Sequence, residues 1–247
     1  MGSFSGKTFM IAGASSGIGR NAAEFLTQSL GANVVLVARR TSIITELAKT
    51  LPGDNYAITY DFLDLEHVGD IFTECGQQKI YLDGIVYSAG IAPLYALKDN
   101  DTECTIDTMK INALAFAEMA KASLHSACMH EQASIVAISS IVSLAVTNRQ
   151  SAYAASKSML NTYVKYFAKE ALGRYRVNAI LPGVVETEMY QELRKQSENL
   201  DERTKKNQPL GIIPPEKVSK LIAYLLSEES MYFTGSLIEM DGGFLLK

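Results

Sequence analysis

The segment Thr8–Arg20 reads TFMIAGASSGIGR and decides the fold. Its first five residues have the character of a buried strand, and a turn with glycine at positions 13, 17 and 19 precedes an amphipathic stretch. Glycine permits a tight turn and lets backbone N–H groups at the positive end of a helix approach an anion closely. A strand, a glycine turn and a helix in this order predict a site for the pyrophosphate of a dinucleotide, although such turns also occur without a ligand.

Short apolar runs alternate with helical patterns along the rest of the chain, which predicts βαβ units. Runs such as VVLVA and SIVAI lack polar alternation, as expected of strands that helices cover on both faces. We therefore predict an α/β fold in which residues 1–247 form a single doubly wound Rossmann-type domain, with a parallel seven-stranded sheet flanked by helices. The predicted strands are Thr8–Ala12, Asn33–Ala38, Tyr56–Tyr60, Gly84–Ser88, Ser134–Ser139, Arg176–Leu181 and Leu237–Met240. The predicted helices lie near Gly17–Leu30, Thr41–Thr50, Leu65–Lys79, Thr102–His130, Ser151–Gly173 and Pro215–Ser227.

The second predicted strand ends in VLVARR, twenty residues after Gly19. An acidic residue near this point would accept a hydrogen bond from the ribose 2′-hydroxyl of NAD, but Ala38 and Arg39 stand here. A guanidinium forms charge-assisted, bidentate bonds to a 2′-phosphate, which a carboxylate would repel. Two arginines at a strand end are often only solvated charge. Together with the glycine turn, they predict NADP(H) as the cofactor.

A serine, a tyrosine and a lysine follow the fifth predicted strand. Ser140 lies thirteen residues before Tyr153, and Lys157 lies four residues after the tyrosine, on the same face of a helix. A lysine ammonium beside a phenol favours the phenolate and so lowers a pKa that is ordinarily about 10. The tyrosine would then donate a proton to a developing alkoxide near neutral pH, while the serine hydroxyl bonds the same oxygen. A lone Tyr-x-x-x-Lys pair is more often chance amphipathic surface.

In the order and spacing of these motifs, nearly the whole chain resembles the short-chain dehydrogenase/reductase family. The resemblance implies hydride transfer between NADP(H) and a ketone or secondary alcohol. The chain departs from the family motifs at two places: Ala12 replaces the usual threonine, and Tyr87–Ser88 replace two asparagines. We expect both departures to affect the stability of the turns more than activity. The resemblance rests on AGASSGIG at 12–19, Asp61, YSAG at 87–90, Asn112 in KINALAF, the set of Ser140, Tyr153 and Lys157, PGVVET at 182–187 and MDGGF at 240–244.

The resemblance also implies roles for individual residues. Tyr153 is the general acid/base, and Lys157 lowers its pKa and holds the nicotinamide ribose. Ser140 orients the carbonyl, and Asn112 supports a proton relay through water. Ser140 is preferred to Ser139 for its spacing, and adjacent strand residues point to opposite faces. No metal ligands are implied, and the implied cofactor contacts are Gly13, Ser15, Ser16, Gly17, Ile18, Gly19, Arg39, Asp61, Phe62, Ala89, Gly90, Lys157, Pro182, Gly183, Val185 and Thr187.

Two regions raise questions beyond the chemistry. Residues 186–208 are charged and weakly periodic, and we interpret them as a substrate lid, with a solvated helical excursion as the alternative. The helix that contains Tyr153 is apolar around most of its circumference, so both of its sides need covering. One side packs on the sheet and the other is predicted to meet another subunit. The family resemblance implies a homodimer or homotetramer, and the alternative is a monomer.

Composition excludes some classes of function. The formal net charge of −4 offers no basic stripe for nucleic acid. No apolar run reaches the roughly 18 residues of a membrane span, and the start of the chain lacks a secretory pattern, so we expect a cytoplasmic protein that does not bind membranes.

Three functions compete. The first is NADPH-dependent reduction of a free ketone, and the second is that of a 3-oxoacyl-[acyl-carrier-protein] reductase. The third is a non-enzymatic NADPH-binding protein, which the intact Ser140, Tyr153 and Lys157 argue against. The segment 127–132 lacks the basic residues that an acidic carrier protein would need, which ranks the free ketone first; Arg174 and Arg176 leave a carrier role open.

Overall fold

Seven parallel strands form the central sheet of the computed structural model, which describes residues 2–196 and 198–246. The sequence-based fold class is therefore confirmed. Met1, Ser197 and Lys247, which belong to the predicted domain, lie outside the described residues, and Ser197 also belongs to the predicted lid. The strands are β1 (Thr8–Ala12), β2 (Asn33–Ala38), β3 (Tyr56–Thr59), β4 (Leu82–Tyr87), β5 (Met129–Ile138), β6 (Arg176–Pro182) and β7 (Leu237–Met240). Their order across the sheet is β3-β2-β1-β4-β5-β6-β7.

Helices cover both faces of the sheet. They are α1 (Gly17–Leu30), α2 (Thr41–Thr50), α3 (Asp70–Gln77), α4 (Thr102–Met109), α5 (Ala115–His125), α6 (Ser151–Glu170), α7 (Glu188–Gln196), α8 (Leu200–Asn207) and α9 (Pro215–Leu226). In β1, Phe9 and Ile11 pack into the core under α1, α2 and α9, whereas Met10 and Ala12 pack into the core under α3, α5 and α6. This two-sided burial explains why the strands read as continuous apolar runs. Within the described ranges, no helix is both long and apolar enough to cross a membrane.

The predicted helix Thr102–His130 is wrong in its extent. The chain instead forms α4, a π-helical turn at Lys110–Leu114 and α5, and β5 then begins at Met129 rather than at Ser134. Pairing with β4 extends β5 toward its amino end, because Leu82 is in register with Met129. A local apolar pattern does not contain that long-range pairing.

The predicted helix Leu65–Lys79 also begins too early. The Asp64 carboxylate accepts hydrogen bonds from the backbone N–H groups of Glu66 and His67, over 3.2 and 3.3 Å. This local turn competes with helix formation, and α3 therefore begins only at Asp70.

The chain changes direction across the sheet between β1 and β4. β1 pairs with β2 on one side and with β4 on the other, so the connections that follow β1 and β4 separate at their carboxyl ends. Ligands of open α/β sheets bind in the crevice that such a switch point creates. The glycine turn after β1 lies at this point.

Candidate active site

A cleft of about 430 Å³ lies along the carboxyl ends of the central strands. Of the predicted site residues, all within the described part of the chain, only Gly19 and Asn112 do not line it. Gly19 is needed for packing, because a Cβ atom there would overlap the Gly13 carbonyl oxygen. The predicted residues that do line the cleft are Gly13, Ser15, Ser16, Gly17, Ile18, Arg39, Asp61, Phe62, Ala89, Gly90, Ser140, Tyr153, Lys157, Pro182, Gly183, Val185 and Thr187.

The glycine turn presents backbone N–H groups to the cleft. Gly13 has a φ of 86°, and a Cβ atom on it would lie 2.6 Å from the Ala89 nitrogen. Only glycine therefore lets the ends of β1 and β4 approach this closely. At the start of α1, the Gly17 N–H donates to a carboxylate oxygen of Glu188 over 2.8 Å. This carboxylate stands in for a phosphate oxygen, so the helix terminus is suited to an anion.

Two arginines at the end of β2 line the cleft. Arg39 Nη1 lies 3.7 Å from a carboxylate oxygen of Asp61, and Arg40 Nη2 donates to Ser15 Oγ over 2.9 Å. The sequence analysis singles out Arg39 for the 2′-phosphate, and the second arginine of VLVARR was the available signal for Arg40. Two cations beside a glycine turn that already holds a carboxylate fit a phosphorylated dinucleotide.

Another part of the cleft brings together Ser140, Tyr153 and Lys157. It lies at the carboxyl end of β5 and the amino-terminal end of α6. Burial raises the pKa of the Tyr153 phenol, and its hydrogen bond with the Ser140 side chain lowers it. Burial also lowers the pKa of Lys157 to about 7. The lysine Nζ donates to the Ile138 carbonyl over 2.8 Å and lies 5.8 Å from the centre of the Tyr153 ring.

The expected lowering of the Tyr153 pKa by Lys157 is not what the structure shows. Burial disfavours the charged form of both groups, and the net shift of the tyrosine pKa is upward. The phenol therefore keeps its proton at neutral pH. A protonated phenol is the form that donates to a developing alkoxide.

The two adjacent serines after β5 make different contacts. Ser139 Oγ donates to the Lys157 carbonyl over 3.3 Å, whereas Ser140 Oγ accepts from the Val142 N–H over 3.4 Å and lies close enough to the Tyr153 phenol to lower its pKa. Ser139 is thus used to fasten α6 to the end of β5. Both serines line the cleft, and Ser140 is the one that influences the pKa of the Tyr153 phenol.

Asn112 lies behind the cluster of Ser140, Tyr153 and Lys157 and is fully buried. Its amide oxygen accepts from the Ile91 N–H over 2.9 Å. Its amide nitrogen donates to the Ile91 carbonyl and to Ser156 Oγ, each over 2.9 Å. Asn112 therefore joins the loop after β4 to α6, one residue before Lys157.

Tyr87 differs from its expected role. The sequence places Tyr87 near the end of the predicted strand Gly84–Ser88, where its departure from the family motif is expected to affect turn stability. In the structure its hydroxyl donates to the Ile111 carbonyl over 2.5 Å. Its ring is fully buried and makes edge contacts with Phe62 and Phe116, with centroids 5.6 and 5.4 Å apart. Tyr87 therefore contacts the π-helical turn that contains Asn112. The departure from the family motif was the one sequence feature that could have drawn attention to it.

The charged side chains that line the cleft are Arg39, Arg40, Asp61, Lys157 and Glu188. The wall past the catalytic residues is apolar, apart from Thr147 and Gln150. Such a wall is suited to an uncharged substrate with an apolar chain. Across residues 2–196 and 198–246, no group of three or more His, Cys, Asp or Glu side chains is placed to hold a metal ion. The apolar wall is lined by Ile91, Ala92, Ile141, Val142, Met189, Leu193 and Phe244.

The segment that follows β6 forms α7 and α8. Tyr190 Oη donates to Asp201 over 2.8 Å, and Arg194 pairs with both Glu186 and Asp201, over 2.6 and 3.0 Å. These contacts fasten α7 to α8. Met189 and Leu193 of α7 line the cleft, so this helix pair contributes one of its walls.

Arg174 and Arg176 lie at the opposite edge of the sheet, where β6 begins. Arg174 donates to the Leu124 carbonyl over 3.0 Å. Arg176 donates to the carbonyls of Leu225 and Ser227 at the end of α9, over 3.0 and 2.9 Å. Within the chain, neither arginine approaches the cleft. Both follow the carboxyl end of α6, as the sequence predicts, so a carrier protein that docks on them would not contact the cleft of the same subunit.

The comparisons with known proteins agree with this geometry. The family model described as "Enoyl-(Acyl carrier protein) reductase" matches residues 13–245. The chain is 32% identical over 249 residues to the 3-oxoacyl-[acyl-carrier-protein] reductase FabG of Thermotoga maritima, with 98% of each protein covered.

Solved structures of similar proteins have the same fold. A Brucella melitensis short-chain dehydrogenase/reductase, described as glucose/ribitol dehydrogenase, superposes with a TM-score of 0.91 at 27% identity, with 100% of each chain covered. A 4-hydroxyisoleucine dehydrogenase complexed with NADH gives a TM-score of 0.87 at 27% identity, with 98% of this chain and 99% of that one covered. The chain therefore belongs to the short-chain dehydrogenase/reductase family of oxidoreductases, which act on CH–OH groups and the matching carbonyls.

Proposed function

We propose that this protein is an NADPH-dependent reductase of 3-oxoacyl thioesters, with Tyr153 as the proton donor. The observation that carries the proposal is the cluster of Ser140, Tyr153 and Lys157 next to an apolar, uncharged cleft wall. The sequence alone favours a free ketone as the substrate. The likeness to FabG reverses this order, because the name of that relative gives a 3-oxoacyl substrate. Membership of an oxidoreductase family argues against a non-enzymatic NADPH-binding protein.

The proposed reaction is hydride addition to the carbonyl carbon and proton addition to its oxygen. A bound NADPH would supply the hydride. Ser140 would hydrogen-bond the carbonyl oxygen and so hold it beside the phenol. The Tyr153 phenol, which is protonated at neutral pH, would donate its proton as negative charge develops on the oxygen. Lys157, which bonds the Ile138 carbonyl, would hold the cofactor ribose beside the same cluster.

The cofactor preference rests on the end of β2. Arg39 and Arg40 would bind the 2′-phosphate, with Ser15 orienting Arg40. Asp61 and Phe62, which follow β3 and line the cleft, would lie near the adenine. No carboxylate occupies position 38, where one would repel the phosphate.

The helix pair α7–α8 is proposed as the substrate lid. Its internal contacts through Tyr190, Arg194 and Asp201 favour movement as one unit. Thr187 and Glu188 join it to the cleft next to Gly17. Because this lid contacts the cofactor site, we expect it to close over the acyl chain only when a dinucleotide is bound there.

The proposed assembly is a homodimer or homotetramer. α5 and α6 together border a depression whose lining is mostly apolar but includes Lys121, His125, Thr162 and Glu170. Tyr166, which also lines it, is 63% exposed. An apolar helix face of this kind is suited to burial against a second subunit. The depression is lined by Ala117, Ala120, Leu124, Met159, Tyr163 and Phe167, among others.

The cytoplasmic location and the extent of the domain, residues 1–247, stay predictions.

A substrate comparison tests the proposed function. We would measure NADPH oxidation with a 3-oxoacyl group on an acyl carrier protein, the same group on a short pantetheine analogue, and an unconjugated ketone of equal length. We expect higher kcat/KM for both thioesters than for the ketone. Efficient reduction of the ketone alone would restore the free-ketone function, and failure to reduce any of the three would reject both.

Salt dependence would then show whether a carrier protein docks by charge. Steering between charged surfaces raises association rates and weakens as salt rises. Arg149 is exposed between Thr147 and Gln150, which line the cleft. Loss of a low-salt preference for the carrier form in Arg149→Gln, but not in Arg174→Gln, would place docking at the cleft. The opposite result would place it at the far edge of the sheet.

A further inference from the structure

The hydroxyl of Tyr87 meets the main chain of a π-helical turn behind the active site. In this turn the Ala115 N–H donates to the Lys110 carbonyl, five residues back. An α-helix would pair that N–H with the Ile111 carbonyl instead. The Ile111 carbonyl accepts from Tyr87 Oη over 2.5 Å. Tyr87 thus takes the place of the helical donor that the π turn has diverted.

This bond stabilises the π turn over its α-helical alternative. Tyr87 is fully buried, and burial raises its pKa, so the hydroxyl keeps its proton and donates. Without the hydroxyl, the buried Ile111 carbonyl would lack this partner, and an unpaired buried acceptor is unfavourable. Return to α-helical pairing would restore a donor from Ala115. Without the Tyr87 hydroxyl, the segment would therefore favour α-helical pairing over the π turn.

Loss of the π turn would move Asn112. Each residue of an α-helix is rotated by about 100° from the one before it, so absorbing one extra residue changes which way the following side chains face. Asn112 makes three bonds that depend on its present direction, two to Ile91 and one to Ser156. Ser156 Oγ in turn donates to the Tyr153 carbonyl over 2.7 Å.

The same side chain closes the space beside Lys157. A Cβ atom on Gly90 would lie 3.2 Å from the Asn112 amide oxygen and 3.5 Å from Lys157 Nζ. Asn112 and Lys157 are therefore both packed around Gly90. A continuous set of contacts runs from Tyr87, through Ile111 and Asn112, to the residues that hold the catalytic tyrosine and lysine.

We propose that Tyr87 is a positioning residue for catalysis, which keeps the π turn in place and so sets the direction of Asn112 and the placement of Tyr153 and Lys157. This inference rests on the proposed function for the identity of the reaction. Tyr87 does not line the cleft. Its hydroxyl bonds the π turn, so removing that hydroxyl alone affects the chemistry through the helix.

The test compares two tyrosine-to-phenylalanine variants. Tyr87→Phe removes only the hydroxyl and keeps the aromatic packing. Tyr175→Phe is the matched control, because Tyr175 is also buried in the same core and its hydroxyl donates to a backbone carbonyl, that of Ser123, over 3.1 Å. Tyr175 lies beside Arg176, at the edge of the sheet away from the cleft.

We expect kcat of Tyr87→Phe to fall roughly ten- to hundredfold, the scale that small misplacements of catalytic groups produce. KM for the carbonyl substrate and the dissociation constant for NADPH should stay close to wild type. Tyr175→Phe should lower the melting temperature as Tyr87→Phe does, yet keep wild-type kcat. Equal kcat in the two variants would overturn the proposal.

Backbone hydrogen exchange gives a readout that needs no turnover. In Tyr87→Phe, the amides of Ile91 and of residues 110–115 should exchange faster than in wild type, and in Tyr175→Phe they should not. Unchanged exchange in Tyr87→Phe would also overturn the proposal. If wild type reduces no carbonyl but the exchange differs as expected, the positioning of Asn112 stands and the proposed reaction fails.

Discussion

The two ends of the cleft differ in solvent exposure and in charge. At the end of β2, the side chains of Arg39 and Asp61 are 56% and 47% exposed and form a pair 3.7 Å apart. At the end of β5, Ser140 and Lys157 are 7% and 4% exposed, and burial shifts the pKa values of Lys157 and Tyr153. The end at β2 is charged and exposed to solvent, whereas the end at β5 carries little charge and is buried.

This difference predicts where mutations will act. Charges in water are screened by salt, so the exposed arginines can select a cofactor only by modest free energies. In the buried cluster, a single hydroxyl or amine has no water to replace it. Changes at the catalytic end should therefore alter rate by orders of magnitude, and changes at the exposed end should alter affinity by smaller factors.

The largest effect is expected from Tyr153→Phe. The variant lacks the proton donor, and we expect turnover to fall by roughly 10²–10⁴-fold or more, the contribution typical of general acid catalysis. Its affinity for NADPH should stay near wild type, because the glycine turn and the arginines are unchanged. Steady-state kinetics with a confirmed substrate and equilibrium binding of NADPH measure the two quantities.

Tyr166→Phe provides the control for this substitution. Tyr166 is on the same helix and is exposed outside the cleft. Near-native turnover in Tyr153→Phe would remove the tyrosine from the mechanism and would also erase the contrast between the two ends.

A smaller effect is expected at the charged end. Arg39→Ala should weaken NADPH binding by about 1.5–3 kcal/mol, the range for a hydrogen bond to a charged group, with little change for NADH. Arg40→Ala should act in the same direction, since Arg40 bonds Ser15 in the glycine turn. Titrations at low and high salt should show the difference shrinking as salt rises.

Lys49→Ala, in the last turn of α2, controls for the general loss of positive charge. If wild type binds NADH and NADPH equally, the arginines do not select the cofactor, and the exposed end would have only a structural role.

The smallest effect is expected from Glu188→Gln. The Glu188 carboxylate accepts from the Gly17 N–H, where a pyrophosphate oxygen would compete. Removing its charge should tighten dinucleotide binding by roughly two- to fivefold, the worth of one charge at a helix terminus. Glu192→Gln is the control, because Glu192 lies on the same helix but pairs with Lys195 over 2.7 Å. Weaker binding in Glu188→Gln would show that this carboxylate supports the site rather than competing for it.

Sequence patterns predicted those parts of the molecule that short stretches determine. The number of strands in the parallel sheet, the glycine turn and the spacing from Ser140 to Lys157 all follow from local periodicity and motif. The contacts that were missed join distant residues: Tyr87 reaches Ile111 across 24 positions, and Gly17 reaches Glu188 across 171. The departure of Tyr87 from the family motif marks the position, but it does not tell a residue that bonds a π turn from one that only fills the core.

The close approach of Gly13 to Ala89 lies on the seam between two halves of the sheet, β3-β2-β1 and β4-β5-β6-β7. Residues from both halves line the cleft, so a dinucleotide lying across it would bind only while the seam is closed. A ligand that binds only the folded protein stabilises it. At a free concentration one hundred times its Kd, it adds about 2.7 kcal/mol to the free energy of unfolding. The lifetime of the folded enzyme in a cell would thus follow the supply of its own coenzyme.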